Sequence, residues 1–134
     1  MLLEFSVANF LSFRERKTLS LVASSISDFK DTNTITSERH TLLKGAVIYG
    51  ANASGKSNFI RAMSTMKRIV ILSFNQSSTK SLDVTPFLLN TETENSASYF
   101  EVYFEILKVR YRYGFEVTNK EVVSEWLYES KKNA

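Results

Sequence analysis

Residues 46 to 59 read AVIYGANASGKSNF, the stretch that most restricts what this chain can become. Gly50, four residues, then Gly55, Lys56 and Ser57 satisfy the pattern G-x-x-x-x-G-K-[ST]. Ahead of it AVIY is apolar throughout, as in a central strand covered on both faces. Behind it Phe59, Met63, Met66 and Val70 recur at helical spacing, with Arg61, Lys67 and Arg68 pointing elsewhere, which predicts a helix over about residues 55–72. Glycines are needed in such a loop because consecutive N–H groups must bend towards one anion, and side chains would block the approach. The helix start adds unpaired N–H groups and about half a unit of positive charge.

Strand, loop and helix together assign residues 50–57 to triphosphate binding. Lys56 is the flexible point charge for the β- and γ-phosphates, and the Ser57 hydroxyl is the ligand for Mg²⁺. The plain alternative is a Gly/Ser turn that acquired Lys-Ser by chance, and both flanks argue against it. Asn119 and Lys120 imitate the start of the guanine-reading N-K-x-D, but Val122 stands where Asp is needed and the segment reads as a β-turn. A nucleoside-kinase arrangement would continue with alternating helices and parallel strands; here an antiparallel pattern follows.

That pattern occupies the rest of the chain. Leu3, Phe5 and Val7 alternate with Glu4 and Ser6, and Leu19 and Leu21 repeat the period, which predicts an antiparallel ribbon across ANFLSFRERK. Residues 24–40 are rich in Ser, Thr and Asp and read as a loop with at most a short strand around Ile35. A polar connector, 73–85, leads to PFLL at 86–89, a length typical of a functional loop. Residues from about 99 to 130 then alternate as a three-stranded meander, with a tight turn at Leu107 and Lys108 and another across VTNKEVV. Tyr111 and Tyr113 fall on one face, Arg110 and Arg112 on the other. That interleaving could suit nucleic acid, but alternation alone explains it and the Gly expected after the basic residue is displaced by Tyr113. Trp126 is expected to be a core anchor, Glu121, Glu125 and Glu129 a solvated edge.

At 134 residues, 43% hydrophobic and 23% charged, the chain is an ordinary globular sequence, and residues 1–134 are expected to form one domain. A net charge of +3 suits a polyanion without demanding one. With no cysteine and one histidine, His40, thiolate and imidazole metal sites are excluded. The N-terminus does not read as a secretory signal and the longest aliphatic run, Ile69–Leu72, is far short of a span, so a cytoplasmic location is expected.

NFLSF at 9–13, IYGANASGKSN at 48–58, PFLL at 86–89 and YRYGFEV…VVSEWLY in the meander together resemble the ABC-type ATPase heads of the RecF, RecN, OLD and structural-maintenance-of-chromosomes group. The likeness is greatest to bacterial AAA family ATPases of phage-defence and abortive-infection systems. The resemblance implies an α/β fold of the P-loop NTPase class, the N-terminal lobe of an ABC-type head, with an antiparallel ribbon and a C-terminal meander. It implies an ATP–Mg²⁺ site built on Gly50, Ala51, Asn52, Ala53, Ser54, Gly55, Lys56, Ser57 and Asn58. In it Asn52 meets the γ-phosphate region, Ser54 to Ser57 wrap the β-phosphate and Asn58 lies beside the α-phosphate. It also implies a head-to-head dimer that sandwiches two ATP molecules.

Two departures qualify it. Chromosome-type relatives often carry a nucleotide-contacting basic residue where Leu11 stands; Arg14 or Arg16 could replace it, although both read more simply as solvated strand residues. No apolar strand ends in Asp-Glu, no Ser-Gly-Gly signature occurs, and His40 precedes the loop. The chain is therefore expected to hold only the first lobe, as a fragment or a truncated gene product, with no catalytic residue and little hydrolysis alone. Its expected partners are ATP, the second lobe and, less directly, nucleic acid. The alternative is a non-catalytic nucleotide- or nucleic-acid-binding module working with a separate second lobe.

Overall fold

A computed structural model describes residues 1–37, 39–72 and 81–130. Alternating apolar residues place β1 at Leu2–Ala8 and β2 at Lys17–Ser20; a short helix α1, Lys30–Asn33, precedes a hairpin of β3, Thr34–Thr36, and β4, Thr41–Leu43. The long helix α2 covers Lys56–Leu72, and the meander is β5, Ser98–Ile106, β6, Val109–Val117, and β7, Val122–Ser130. The expected ribbon and meander are joined, because β1 pairs with β5 and closes one five-stranded antiparallel sheet in the order β2-β1-β5-β6-β7. The architecture is a mixed α/β one. The connector expected at 73–85 lies outside the described residues over 73–80. No helix among the described residues is long and apolar enough to cross a membrane.

The core lies between one sheet face and α2. Phe5 and Val7 of β1, Phe100 of β5, and Phe115 and Val117 of β6 meet Phe59, Ala62, Met66 and Ile69 of the helix. The helical stripe is thus displaced from the predicted line: Val70 is exposed, while Ala62 and Ile69 are buried against the sheet. Phe59 receives Phe5 and Phe13 edge-on, at centroid distances of 5.4 and 5.9 Å.

Residues 46–49 depart further from expectation. They form no strand, and Val47 and Tyr49 are 88% and 90% exposed. Apolar character marks a segment that gains from burial, but it does not supply the neighbouring strand. Every pairing in the described sheet is between other segments.

Trp126 also differs from the expected core anchor: it is half-buried on the outer sheet face. It lies directly across from Gly114, where a Cβ would stand 2.5 Å from the indole and 2.7 Å from the Phe100 carbonyl oxygen. The indole N–H donates to Glu101 at 2.9 Å and Arg112 Nε donates to the same oxygen at 2.8 Å. Burial alone would raise the Glu101 carboxyl, but the Arg112, Tyr99 and Trp126 donors outweigh it and hold the group below its ordinary range. Arg16 stacks over the Tyr99 ring at 4.0 Å, so it faces this outer cluster.

Two substitutions check these assignments by chemical denaturation. Gly114→Ala drives a Cβ into backbone as well as indole, and should cost at least about 2 kcal/mol; an unchanged midpoint would contradict the packing described. Leu107 and Lys108 both sit at positive φ, 48° and 69°, the combination a type I′ hairpin turn demands. Replacing the pair with Asn-Gly relieves a conformation that costs ordinary residues about 1–2 kcal/mol each, so the double variant should be more stable than the parent by about that amount.

Candidate nucleotide-binding site

The loop after Tyr49 is shaped by backbone that ordinary residues avoid. Ala53 has φ 62° and Gly55 φ 93°, and a Cβ on Gly50 would come within 3.0 Å of Ser54 Oγ. These bends leave the amides of Asn52, Ala53, Gly55, Lys56, Ser57 and Asn58 without a backbone acceptor among the described residues; only Ser54 N–H closes a turn, on Ala51 O. Beside them, Ala53 to Asn58 line a hollow of about 280 Å³.

The helix carries the same asymmetry. Its first turn contains no acid, and it begins on Lys56. A side-chain carboxylate there would normally offset the positive helix end; this helix carries none in its first turn. The Lys56 ammonium folds back over the loop, donating to Gly50 O at 2.7 Å, Ala51 O at 2.6 Å and Ser54 Oγ at 3.4 Å. It thereby places a full positive charge at the mouth of the amide run. The Ser57 side chain is exposed, with no hydrogen bond to a described residue.

All the residues predicted from the sequence therefore lie in one continuous loop and helix start. Gly50 and Ala51 supply carbonyls to Lys56, Asn52 and Ala53 expose their amides, and Ser54 to Asn58 form the hollow's wall. No group of three His, Cys, Asp or Glu that could hold a metal occurs among the described residues. Any divalent cation here would depend on Ser57, ligand oxygens and water, the pattern that suits Mg²⁺.

The site has a second component that the loop motif does not announce. The turn after β1 is pinned by Asn9, whose side-chain N–H groups donate to the carbonyls of Thr93, Ser96 and Ala97 while its Oδ1 accepts from Phe87 N–H at 3.0 Å. Leu11 N–H donates to Thr85 O at 3.0 Å and its side chain packs on the core, which places Leu11 in a structural role. Phe13 meets Phe59 of α2, and Ser12 Oγ accepts from Asn58 Nδ2 at 3.0 Å. The segments NFLSF and PFLL, far apart in sequence, thus join at the loop's flank. Asn119 and Lys120 lie in the β6–β7 turn, where the Asn119 carbonyl receives Leu82 N–H.

Beneath the loop, Phe13, Thr18, Leu19, Ile48, Tyr49 and Phe59 surround a largely apolar hollow of about 440 Å³ that also touches Lys56. It sits where the exposed 46–49 segment passes the sheet.

No curated protein gives a significant match to the chain. Residues 46–134 match the family described as "AAA domain, putative AbiEii toxin, Type IV TA system". The matched span opens on the apolar lead-in to the loop and takes in α2 and the whole meander, well over half the chain. With the match covering well over half of it, the chain belongs to this AAA-domain family, which suggests nucleotide binding by a P-loop-type module.

Proposed function

We propose that the chain binds ATP with Mg²⁺ through Gly50 to Asn58, as the N-terminal lobe of an ABC-type ATPase head. The observation that carries this is the set of amides without a backbone acceptor, Asn52, Ala53 and Gly55 to Asn58, beside a hollow lined by Ala53 to Asn58, with the Lys56 ammonium folded over the same loop. Preorganised donors of this kind need little rearrangement to receive phosphate oxygens, and helix charge and ammonium act in the same direction. Ser57 supplies the protein's ligand to Mg²⁺, with phosphate oxygens and water completing the shell.

In the full assembly this lobe would combine with a second one. Support comes from apolar side chains left exposed on the loop's lead-in and on α2: Val47, Tyr49, Ile60 and Ile71. An exposed apolar segment and exposed apolar helix residues are what a further layer of structure would cover. That lobe would bring the Asp-Glu strand and signature loop this sequence lacks. ATP-driven pairing of two heads would then drive an effector, in keeping with the toxin named in the family description. The chain alone, as one domain, should bind nucleotide and turn it over slowly.

A second reading, a nucleic-acid module, draws on the outer sheet face, where Arg16, Arg110 and Arg112 border a hollow of about 630 Å³. Glu4, Glu101 and Glu129 line the same hollow and oppose a polyanion, so the ATP reading is favoured.

Calorimetric titration with ATP and Mg²⁺ tests the proposal. Lys56→Ala removes a charge-assisted donor worth about 1.5–3 kcal/mol and should weaken binding by tenfold or more. Equal affinity for parent and variant would remove the phosphate-cradle reading.

A further inference from the structure

Ser12 stands outside the loop motif and outside the span that matches the family, yet it is the side chain nearest to the loop's tightest point. Its Oγ accepts the Asn58 carboxamide at 3.0 Å, and it would lie 2.9 Å from a Cβ placed on Gly55. Gly55 is therefore constrained twice, by a φ of 93° and by the Ser12 hydroxyl in front of it. Ser12 gains its position from a rigid surround: Phe10 and Phe13 exchange backbone hydrogen bonds at 2.9 Å across it, and Asn9 anchors the turn on the 87–97 segment.

We propose that Ser12 is a positioning residue of the nucleotide site, holding Asn58 and the Gly55 backbone so that the amides at the α2 start stay turned towards the phosphates. This rests on the reading of Gly50–Asn58 as the phosphate cradle. Its physical content is a reduction of entropy cost. Asn58 is a half-buried side chain at a helix start, and fixing it before the ligand arrives spares part of the ordering penalty of binding. Because Ser12 accepts in its bond with Asn58, its own hydroxyl proton remains available to a ligand oxygen at the same edge. The turn of β1 and the loop before α2, 46 residues apart at Ser12 and Asn58, are thereby mechanically one unit.

The test compares Ser12→Ala, Ser12→Thr, Asn58→Ala and the Ser12→Ala/Asn58→Ala pair, titrating each with ATP and Mg²⁺. Ser12 is exposed, so its truncation should leave the thermal midpoint of the nucleotide-free protein unchanged. Ser12→Ala should weaken ATP binding about fivefold, the scale of one hydrogen bond, and Ser12→Thr should restore most of it. The double variant should lose little more than Asn58→Ala alone, since both substitutions break the same link. Parent-like affinity in Ser12→Ala, or losses that simply add, would overturn the proposal. Lys56→Ala run beside them separates the two levels: if it also binds ATP normally, the cradle itself is wrong, whereas loss only in Lys56→Ala sinks Ser12's role alone.

Discussion

Six amides between Asn52 and Asn58 stand without a backbone acceptor among the described residues. Backbone N–H groups close onto carbonyls wherever they can, and here a consecutive set does not. Two conditions keep it so. Positive φ at Ala53 and Gly55 bends the chain away from a regular helix start, and the Asn9–Phe13 turn is wedged against the loop through Ser12 and Phe13. Both hold the bent loop against the start of α2, whose first amides have no intrahelical acceptor.

The sheet is the platform for that wedge. β1 lies between β2 and β5, so the turn after β1 starts from an interior strand, and Phe5 and Phe13 both bear on Phe59 at the first turn of α2. Position and charge then cooperate. The helix axis ends at the hollow, no acid in the first turn offsets its positive end, and the Lys56 ammonium leans over the same space. On the proposed reading, an anion placed there would meet unpaired amides and the Lys56 ammonium together.

Much of this was legible before any coordinates. The loop, α2, both hairpin turns and the two faces of β6 follow from period and spacing, because each depends on residues close in sequence. What escaped depends on distant partners. The apolar AVIY stretch reads as a buried strand, yet burial requires a neighbouring strand that local pattern cannot provide, and residues 46–49 stand exposed. Trp126 reads as core by its size, but the glycine that receives it, Gly114, lies across the ladder on the outer face. Ser12 was visible only as one letter of NFLSF. Its contact with Asn58 arises from the pairing of β1 with β5, which brings the first turn to the start of α2.

The most direct check of the central claim is the backbone amide spectrum of the ¹⁵N-labelled protein during addition of ATP with Mg²⁺. If the amides of residues 52–58 receive the phosphates, their resonances move together and saturate together, with the outer sheet face undisturbed. Saturating shifts centred on the Arg16, Arg110 and Arg112 face, with 52–58 unmoved, would show that the nucleotide sits elsewhere.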